Sequence, residues 1–305
     1  MRNLAIDYLK VVLAFLVLVL HSEIFLHTIP TLGFVLINGV CRIAVPLFLL
    51  ISGYYFVYIT TFDRLKKWLA RLSLLYLLWM LVYSPFWFDV SNLRSLMNLA
   101  TGFAALWYFP GLIIAGAMLY LMRNLRMPIL LTMASILYLA GFAIQQLGNM
   151  HVMSGRLDVL FNWYPFYRNA VFDCFPILVL GYVMRRDDLW CKLKIRKWHV
   201  AAVLMLIVVE SMANYAIVGN ESLDMMLFLP LGSVVIFLYV KNLSVCGAGN
   251  NVAMFSVAVF LIHPLWFFIY IDLNIGAPRF AFVLLMTIIS STLLVAANKR
   301  LKYIL

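Results

Sequence analysis

Long, unbroken apolar segments are the feature of this sequence that most restricts its fold. Residues 11–20 and 200–209 contain only apolar side chains, whereas the strands of a membrane β-barrel alternate in polarity over about 10 residues. The chain is 66% hydrophobic and 11% charged, but soluble domains are about half apolar and about a quarter charged. The sequence therefore predicts an all-α, polytopic transmembrane helical bundle and excludes a soluble globular enzyme.

Ten apolar segments are candidates for membrane spans, because about 20 apolar residues cross a bilayer as a helix. We expect them to form one integral membrane domain over residues 1–305. The predicted spans are 11–28, 34–58, 72–88, 105–121, 129–147, 170–184, 199–217, 225–240, 253–271 and 280–298.

Basic residues are divided unevenly between the alternating connections of these spans. One set of connections holds 18 of the 23 lysines and arginines, the other set holds four, and Arg42 falls inside a span. The positive-inside rule therefore predicts that both termini are cytoplasmic. The same asymmetry accounts for most of the net charge of +11, so we expect no nucleic-acid partner.

Four ionisable side chains are predicted to lie near one plane in the membrane. At a helix rise of about 1.5 Å per residue, His21, Arg42, Glu210 and His263 lie about 15–18 Å from the inner boundary, with Glu23 slightly further out. Ionisable groups at this depth are costly and usually functional, which favours a shared polar cavity. Structural alternatives stay open, namely hydrogen-bonded packing of the histidines and an Arg42–Glu210 ion pair.

A histidine beside a carboxylate is suited to general-base catalysis, because the unperturbed pKa of histidine lies near neutrality. It could deprotonate a hydroxyl that attacks an acyl donor, while Arg42 holds an anionic group or stabilises the developing oxyanion. The HExxH, P-loop and G-x-S-x-G motifs are absent from the sequence, so we expect no metal site and no bound cofactor.

Two segments at the membrane surfaces are candidates for substrate contacts. Residues 63–71 (DRLKKWLAR) are predicted to form a basic amphipathic connection at the inner face, where they bind lipid headgroups or the phosphates of coenzyme A. Residues 162–169 (NWYPFYRN) are rich in aromatics and belong to an interfacial belt or a platform on which sugars stack.

Several patterns together resemble the membrane-bound acyltransferase family 3. Asp7 and Lys10, followed by ten residues and His21, are similar to its first-helix pattern, with Lys10 in place of the usual arginine. Residues 42–54 (RIAVPLFLLISGY) closely resemble its second-helix signature. Further similarities are LWYF at 106–109, YRN at 167–169 with GY at 181–182, and FLIHPL at 260–265.

The resemblance implies acyl transfer, commonly O-acetylation of a surface polysaccharide or its lipid-linked precursor, with cytoplasmic acetyl-CoA as co-substrate. It implies that His21 is the essential histidine and Lys10 its basic partner. We expect the stand-alone type, without an extracytoplasmic hydrolase-like domain, as a multi-pass protein of the bacterial inner membrane. The expected partners are an acyl-CoA donor, a lipid-linked or nascent glycan acceptor and membrane lipids.

The predicted site has three parts. The catalytic group comprises His21, Glu23 and Arg42, with Glu23 or Glu210 orienting the histidine. The donor-binding group comprises Lys10, Arg64, Lys67 and Arg71. The polar pocket comprises Glu210, His263 and Arg168. A rival prediction is a small-molecule or anion transporter that uses the same buried groups to bind its cargo or relay protons.

Overall fold

Helices make up most of the computed structural model, which describes residues 2–26, 28–89, 91–190, 193–243, 245–247, 249–273, 275, 278–298, 300 and 305. The helices are α1 Leu4–Ser22, α2 Pro30–Asn38, α3 Ala44–Phe56, α4 Phe62–Val82, α5 Ser84–Trp87, α6 Leu93–Thr101, α7 Tyr108–Met122, α8 Met127–Asn149, α9 Arg156–Phe161, α10 Tyr164–Tyr167, α11 Phe175–Arg186, α12 Lys197–Val218, α13 Phe228–Lys241, α14 Asn251–Asp272 and α15 Arg279–Asn298. The strands β1 Arg2–Asn3 and β2 Cys246–Gly247 form one short antiparallel pair. The prediction of an all-α helical bundle is confirmed.

Seven helical segments among the described residues are long and apolar enough to cross a membrane. They include Pro30–Phe56, which joins α2 and α3, and Ala104–Met122, which contains α7. Three further helices, α4, α11 and α13, coincide with the remaining predicted spans, but α4 carries five charged residues and the other two are short. The number of spans and the cytoplasmic position of both termini remain predictions.

The first helix lies several residues earlier in the chain than the predicted span 11–28. It begins after Asn3, whose side chain accepts a hydrogen bond from the backbone N–H of Ala5 at 3.0 Å. It ends before Glu23, which adopts a left-handed conformation with φ of 53°. Such a residue terminates a helix, and His21 consequently lies in the last turn of α1.

The basic segment 63–71 is the first half of α4, so the prediction of a connecting loop there is wrong. The Thr61 hydroxyl accepts a hydrogen bond from the backbone N–H of Arg64 at 3.4 Å, and Asp63 lies in the first turn. A threonine cap and an early carboxylate both favour helix initiation. The lysines and arginines of this segment are therefore held on a helix surface.

Helices α3 and α11 pack closely against each other. A Cβ atom at Gly53 would collide with the carbonyl oxygen of Leu178, and one at Gly181 with that of Leu50. Small residues of this kind let membrane helices approach closely. Helix α1 packs in turn against α3 and α14, which brings His21 and His263 together.

Candidate active site

Two histidines from different helices stack at the end of α1. The rings of His21 and His263 lie 5.5 Å apart between centroids, with an angle of 27° between their planes. His263 is fully buried, and its Nδ1 contacts the carbonyl oxygen of Val259 at 3.1 Å. Its Nε2 has no hydrogen-bond partner among the described residues. The His21 side chain is accessible, and neither of its ring nitrogens hydrogen-bonds to a described residue.

Arg42 lies where the second predicted span is interrupted. Helix α2 ends at Asn38, and a 3-10 segment, Val40–Ile43, precedes α3. From this break the Arg42 guanidinium forms an ion pair with Asp224. Its Nη2 also donates to the Asn38 side-chain oxygen and to the Ser222 hydroxyl, both at 2.8 Å. These contacts fix the position of the guanidinium.

Helix α8 holds the segment that carries Asp224. The Gln145 side-chain oxygen accepts hydrogen bonds from the backbone N–H groups of Asp224 and Met225 at 2.8 and 2.9 Å. The Asn149 amide donates to the carbonyl of Ser222 at 3.0 Å. Because Gln145 and Asn149 are four residues apart on one helix, they share a face. The segment between α12 and α13 is thereby fixed against the bundle.

Asp224 is the common partner of two arginines. Its carboxylate receives a second ion pair from Arg168 at 2.8 Å, and the Tyr167 hydroxyl lies 3.4 Å from its other oxygen. Burial alone would raise the pKa of Asp224, but Arg168 and Arg42 more than offset this and hold it below the ordinary aspartate value. The carboxylate therefore stays ionised, and the three charged groups carry one net positive charge.

A π-helical turn directs a second carboxylate toward the same place. The Asn169 side-chain oxygen accepts hydrogen bonds from the backbone N–H groups of Val171 and Phe172, and the π-helix Ala170–Cys174 follows. Its Asp173 side chain is buried, with 4% of its surface exposed, and makes no hydrogen bond to a described residue. π-Helical turns occur frequently at functional sites.

These groups surround a small cavity, which we call the histidine cavity. Its volume is about 40 Å³. The polar lining consists of His21, Arg42, Tyr108, Arg168, Asp173 and Asp224. Aromatic and aliphatic side chains, including Trp107 and Phe260, complete the wall. An accessible imidazole next to two carboxylates and two guanidinium groups can accept a proton and stabilise negative charge that develops nearby.

Two larger cavities lie in different parts of the bundle. The aromatic cavity has a volume of about 800 Å³ and is lined by Trp107, Trp163, Tyr164 and Arg168 among others. It shares Trp107 and Arg168 with the histidine cavity. The basic cavity, of about 850 Å³, is lined by Lys10, Lys67 and Arg71 together with residues of α14. Lys10 is 11 residues before His21 on α1, which is about 16 Å along the helix.

Comparison with known protein families assigns the chain to one of them. Residues 3–296 match the model of the acyltransferase domain that defines family 3. The chain belongs to membrane-bound acyltransferase family 3. Membership of this family, together with the apolar helices, indicates a multi-pass membrane protein.

Curated relatives of this acyltransferase-family chain are considerably longer. An "Amino-acid racemase" of Enterococcus faecalis is 24% identical over 286 residues, which cover 87% of this chain and 41% of the relative. A "Serine/alanine racemase" of Enterococcus gallinarum is 25% identical over 291 residues, with the same two coverages of 87% and 41%. The chain thus spans less than half the length of these relatives. No solved structure matches it.

The structure brings together only some of the residues that we predicted for the family 3 site. His21, Arg42 and Arg168 line the histidine cavity, and the ring of His263 stacks against that of His21. Three of the four predicted donor-binding residues line the basic cavity, but the Arg64 side chain instead donates to the carbonyl of Tyr58 at 2.9 Å.

Neither glutamate occupies the place that we expected beside His21. Glu210 accepts hydrogen bonds from the backbone N–H groups of Leu227 and Phe228 at 2.6 and 2.9 Å, so it caps the start of α13. It makes no ion pair with Arg42, whose partner is Asp224. Glu23 is half exposed and lies 3.4 Å from Arg279.

Two carboxylates of the site were missed by sequence reasoning. A signal existed for Asp173, because it falls inside the predicted span 170–184, where an ionisable residue is costly. Asp224 lies just before the predicted span 225–240 and looks like an ordinary residue of a connection. Its role depends on the contacts with α8, which the sequence does not reveal.

Proposed function

We propose that this protein is an O-acetyltransferase that moves an acetyl group from cytoplasmic acetyl-CoA to a hydroxyl of a surface polysaccharide or its lipid-linked precursor. The observation that supports this most strongly is the accessible His21 imidazole in a small cavity that holds Arg42, Arg168 and two carboxylates. Family membership supplies the reaction class.

His21 acts as the general base in this proposal. A ring nitrogen takes the proton of the acceptor hydroxyl, and the oxygen attacks the thioester carbonyl carbon of the donor. The carbon–sulfur bond then breaks, and the imidazolium returns its proton to the coenzyme A sulfur, so the products are an ester and free coenzyme A. We assign the orientation of the imidazole during the reaction to Asp173 rather than to Glu23 or Glu210, since Asp173 lines the same cavity and, unlike Asp224, is not paired with an arginine among the described residues.

Arg42 and Arg168 stabilise the tetrahedral oxyanion. Their positions are fixed before the reaction by Asp224, which contacts both guanidinium groups. Fixed positive groups aimed at developing negative charge lower the barrier without reorganising during the reaction. The net positive charge of Arg42, Arg168 and Asp224 together leaves this group able to attract the oxyanion.

The basic cavity receives the donor, and the aromatic cavity receives the acceptor. Lys10, Lys67 and Arg71 offer positive charge to the phosphates of coenzyme A, as charge-assisted contacts to phosphate require. Trp163 and Tyr164 provide flat aromatic faces against which sugar rings pack. Because Trp107 and Arg168 line both the aromatic and the histidine cavities, an acceptor hydroxyl has a short path to His21.

Labelled acetyl-CoA tests this proposal directly. Membranes that contain the protein are incubated with acetyl-CoA labelled in its acetyl group and with an extract of lipid-linked glycans. We expect label to enter the glycan and to be released by mild base, as an ester is. Membranes prepared from cells that lack this protein are the control. Absence of labelled ester, with an acceptor extract known to accept acetyl groups, would contradict the proposal.

A transporter remains the second candidate, because one large cavity shares residues with the histidine cavity and a second large cavity contains Lys10 of α1. Serine and alanine are the cargoes to test, since a relative bears the name "Serine/alanine racemase". Vesicles loaded with either amino acid would exchange it without acyl-CoA if the protein transports it. Exchange without any ester product would favour the transporter over the acetyltransferase.

A further inference from the structure

Three aromatic side chains from three helices pack together beside the histidine cavity, and two of them line it. We call Phe48, Tyr108 and Phe260 the aromatic trio. Their ring centroids are 5.7 Å apart for Tyr108–Phe260, 5.9 Å for Phe48–Phe260 and 6.4 Å for Phe48–Tyr108. The Tyr108 hydroxyl lies 3.3 Å from that of Ser52, which fixes its ring. Mutual edge-to-face packing makes such a group rigid.

Helix α14 connects the basic cavity with the aromatic trio. Tyr108 and Phe260 line the histidine cavity. On α14, Val257 lines the basic cavity, and Phe260 follows it by three residues, which is about 4.5 Å along the helix. An acyl group that moves along α14 from the basic cavity toward His21 would reach Phe260 within about one helical turn.

The histidine cavity has room for a very short acyl group. Its volume is about 40 Å³, and one water-sized group occupies roughly 10–15 Å³ of such space. About three such groups fit, which equals the non-hydrogen atoms of an acetyl group. A butyryl group brings two more carbon atoms than this volume holds, and Phe260 and Tyr108 are the aromatic side chains of the wall, besides Trp107, that would have to give way.

We infer that the aromatic trio determines which acyl group is transferred, limiting the donor to acetyl-CoA and excluding longer acyl chains. This inference rests on the proposed acyl transfer and adds a selectivity determinant to it. Phe260 is the principal determinant, because it lines the cavity and contacts both other rings. Phe48 acts one step further away by holding Phe260 in place.

Competition between donors tests the inference. Membranes receive equal concentrations of acetyl-, propionyl- and butyryl-CoA with the glycan acceptor, and mass spectrometry measures the ratio of the esters formed. We expect the wild type to give mostly acetyl ester. Phe260→Leu should raise the butyryl-to-acetyl ratio at least tenfold, since one methylene in an apolar pocket changes selectivity about 10- to 200-fold.

Two further variants keep the test decisive. Phe255→Leu is the matched control, because Phe255 lies on the same helix, contacts Phe15 and does not line the histidine cavity; its ester ratio should equal that of the wild type. If Phe260→Leu does not accumulate in membranes, Phe48→Leu replaces it and should shift the ratio in the same direction.

The outcomes separate the two proposals. Acetyl ester from the wild type, with the same ester ratio in both the Phe260→Leu and Phe48→Leu variants, would overturn the selectivity role alone. So would a wild type that transfers butyryl groups as readily as acetyl groups. No ester from any donor would contradict the proposed acyl transfer itself, and the selectivity role with it.

Discussion

Asp224 is the residue on which the charge balance of the site depends. Replacing it by asparagine leaves the guanidinium groups of Arg42 and Arg168 close together without their shared counter-charge. Removing one partner of a buried ion pair typically costs about 3–5 kcal/mol. We therefore expect Asp224→Asn to lower the free energy of unfolding by about this amount and to abolish acyl transfer, as measured by thermal unfolding in detergent and by the labelling assay.

The matched control for this substitution is Asp158→Asn. Asp158 pairs with His151 at 3.1 Å, but that histidine is largely exposed. Exposed pairs contribute about 0–1 kcal/mol, so the control should unfold almost as the wild type does.

The pH dependence of stability tests the same role of Asp224. Since the pKa of Asp224 is lowered, its contribution to the free energy of unfolding is complete above the ordinary aspartate pKa and is lost only as the pH falls below that value. The stability difference should therefore be constant between about pH 5 and 8; a difference that vanishes at neutral pH would contradict this role.

The sequence identifies the histidines and arginines of the site better than it identifies their partners. His21 and Arg42 are rare polar groups in apolar surroundings, so their cost alone identifies them. The sequence does not show which carboxylate contacts these side chains, because Glu210 and Asp224 are both acidic residues near apolar segments. Only the fold shows that Glu210 caps a helix while Asp224 meets the arginines.

At the scale of elements, α4 carries two of the cations of the basic cavity on one helix surface. Lys67→Ala and Arg71→Ala should each raise the KM for acetyl-CoA several-fold while leaving kcat nearly unchanged, because they bind phosphates far from the reacting carbon. The effect should shrink as salt is added, since exposed charges are screened. Steady-state kinetics at two ionic strengths measures both quantities.

Arg64→Ala is the informative control for the donor site. Arg64 lies in the first turn of the same helix and was also predicted to bind the donor, but it hydrogen-bonds to Tyr58 and does not line the basic cavity. Its replacement should change the KM for acetyl-CoA much less than either other substitution. An increase equal to that of Lys67→Ala would place the phosphates elsewhere on α4.

The connection between α9 and α10 provides the aromatic face of the acceptor site. Trp163→Ala should raise the KM for the glycan several-fold, since an aromatic contact is worth about 0.5–1.5 kcal/mol beyond buried area. The KM for acetyl-CoA should not change. Trp198→Ala removes another exposed tryptophan, at the start of α12, and should alter neither constant. Equal effects of the two variants would rule out a specific platform at Trp163.

Element boundaries were predictable only where hydropathy changes sharply. The apolar segments locate nearly every long helix, yet α4 extends into the basic segment because capping, not hydropathy, determines where it begins. The break between α2 and α3 is likewise hidden, since residues 34–58 are almost continuously apolar. That break places Arg42 in the histidine cavity, although the hydropathy of the sequence does not reveal it.

For the whole molecule, the uneven distribution of basic residues predicts which cavity faces which side. A cysteine introduced at Trp163 should react with a membrane-impermeant maleimide in intact cells. A cysteine introduced at Lys66 should react only after the membrane is permeabilised. The exposed native Cys246 lies in a predicted inner connection and is first replaced by serine, so that only the introduced cysteine reacts. Labelling of both introduced cysteines from outside would contradict the predicted topology.

Catalysis by His21 is the central claim, and one comparison tests it most directly. Transfer of labelled acetyl groups to glycan is measured with the wild type, His21→Ala and His151→Ala at equal amounts of protein in the membrane. Loss of a general base typically costs 10²–10⁴-fold, so His21→Ala should fall by about that factor while His151→Ala stays at the wild-type rate. Transfer by His21→Ala at the wild-type rate would contradict the claim.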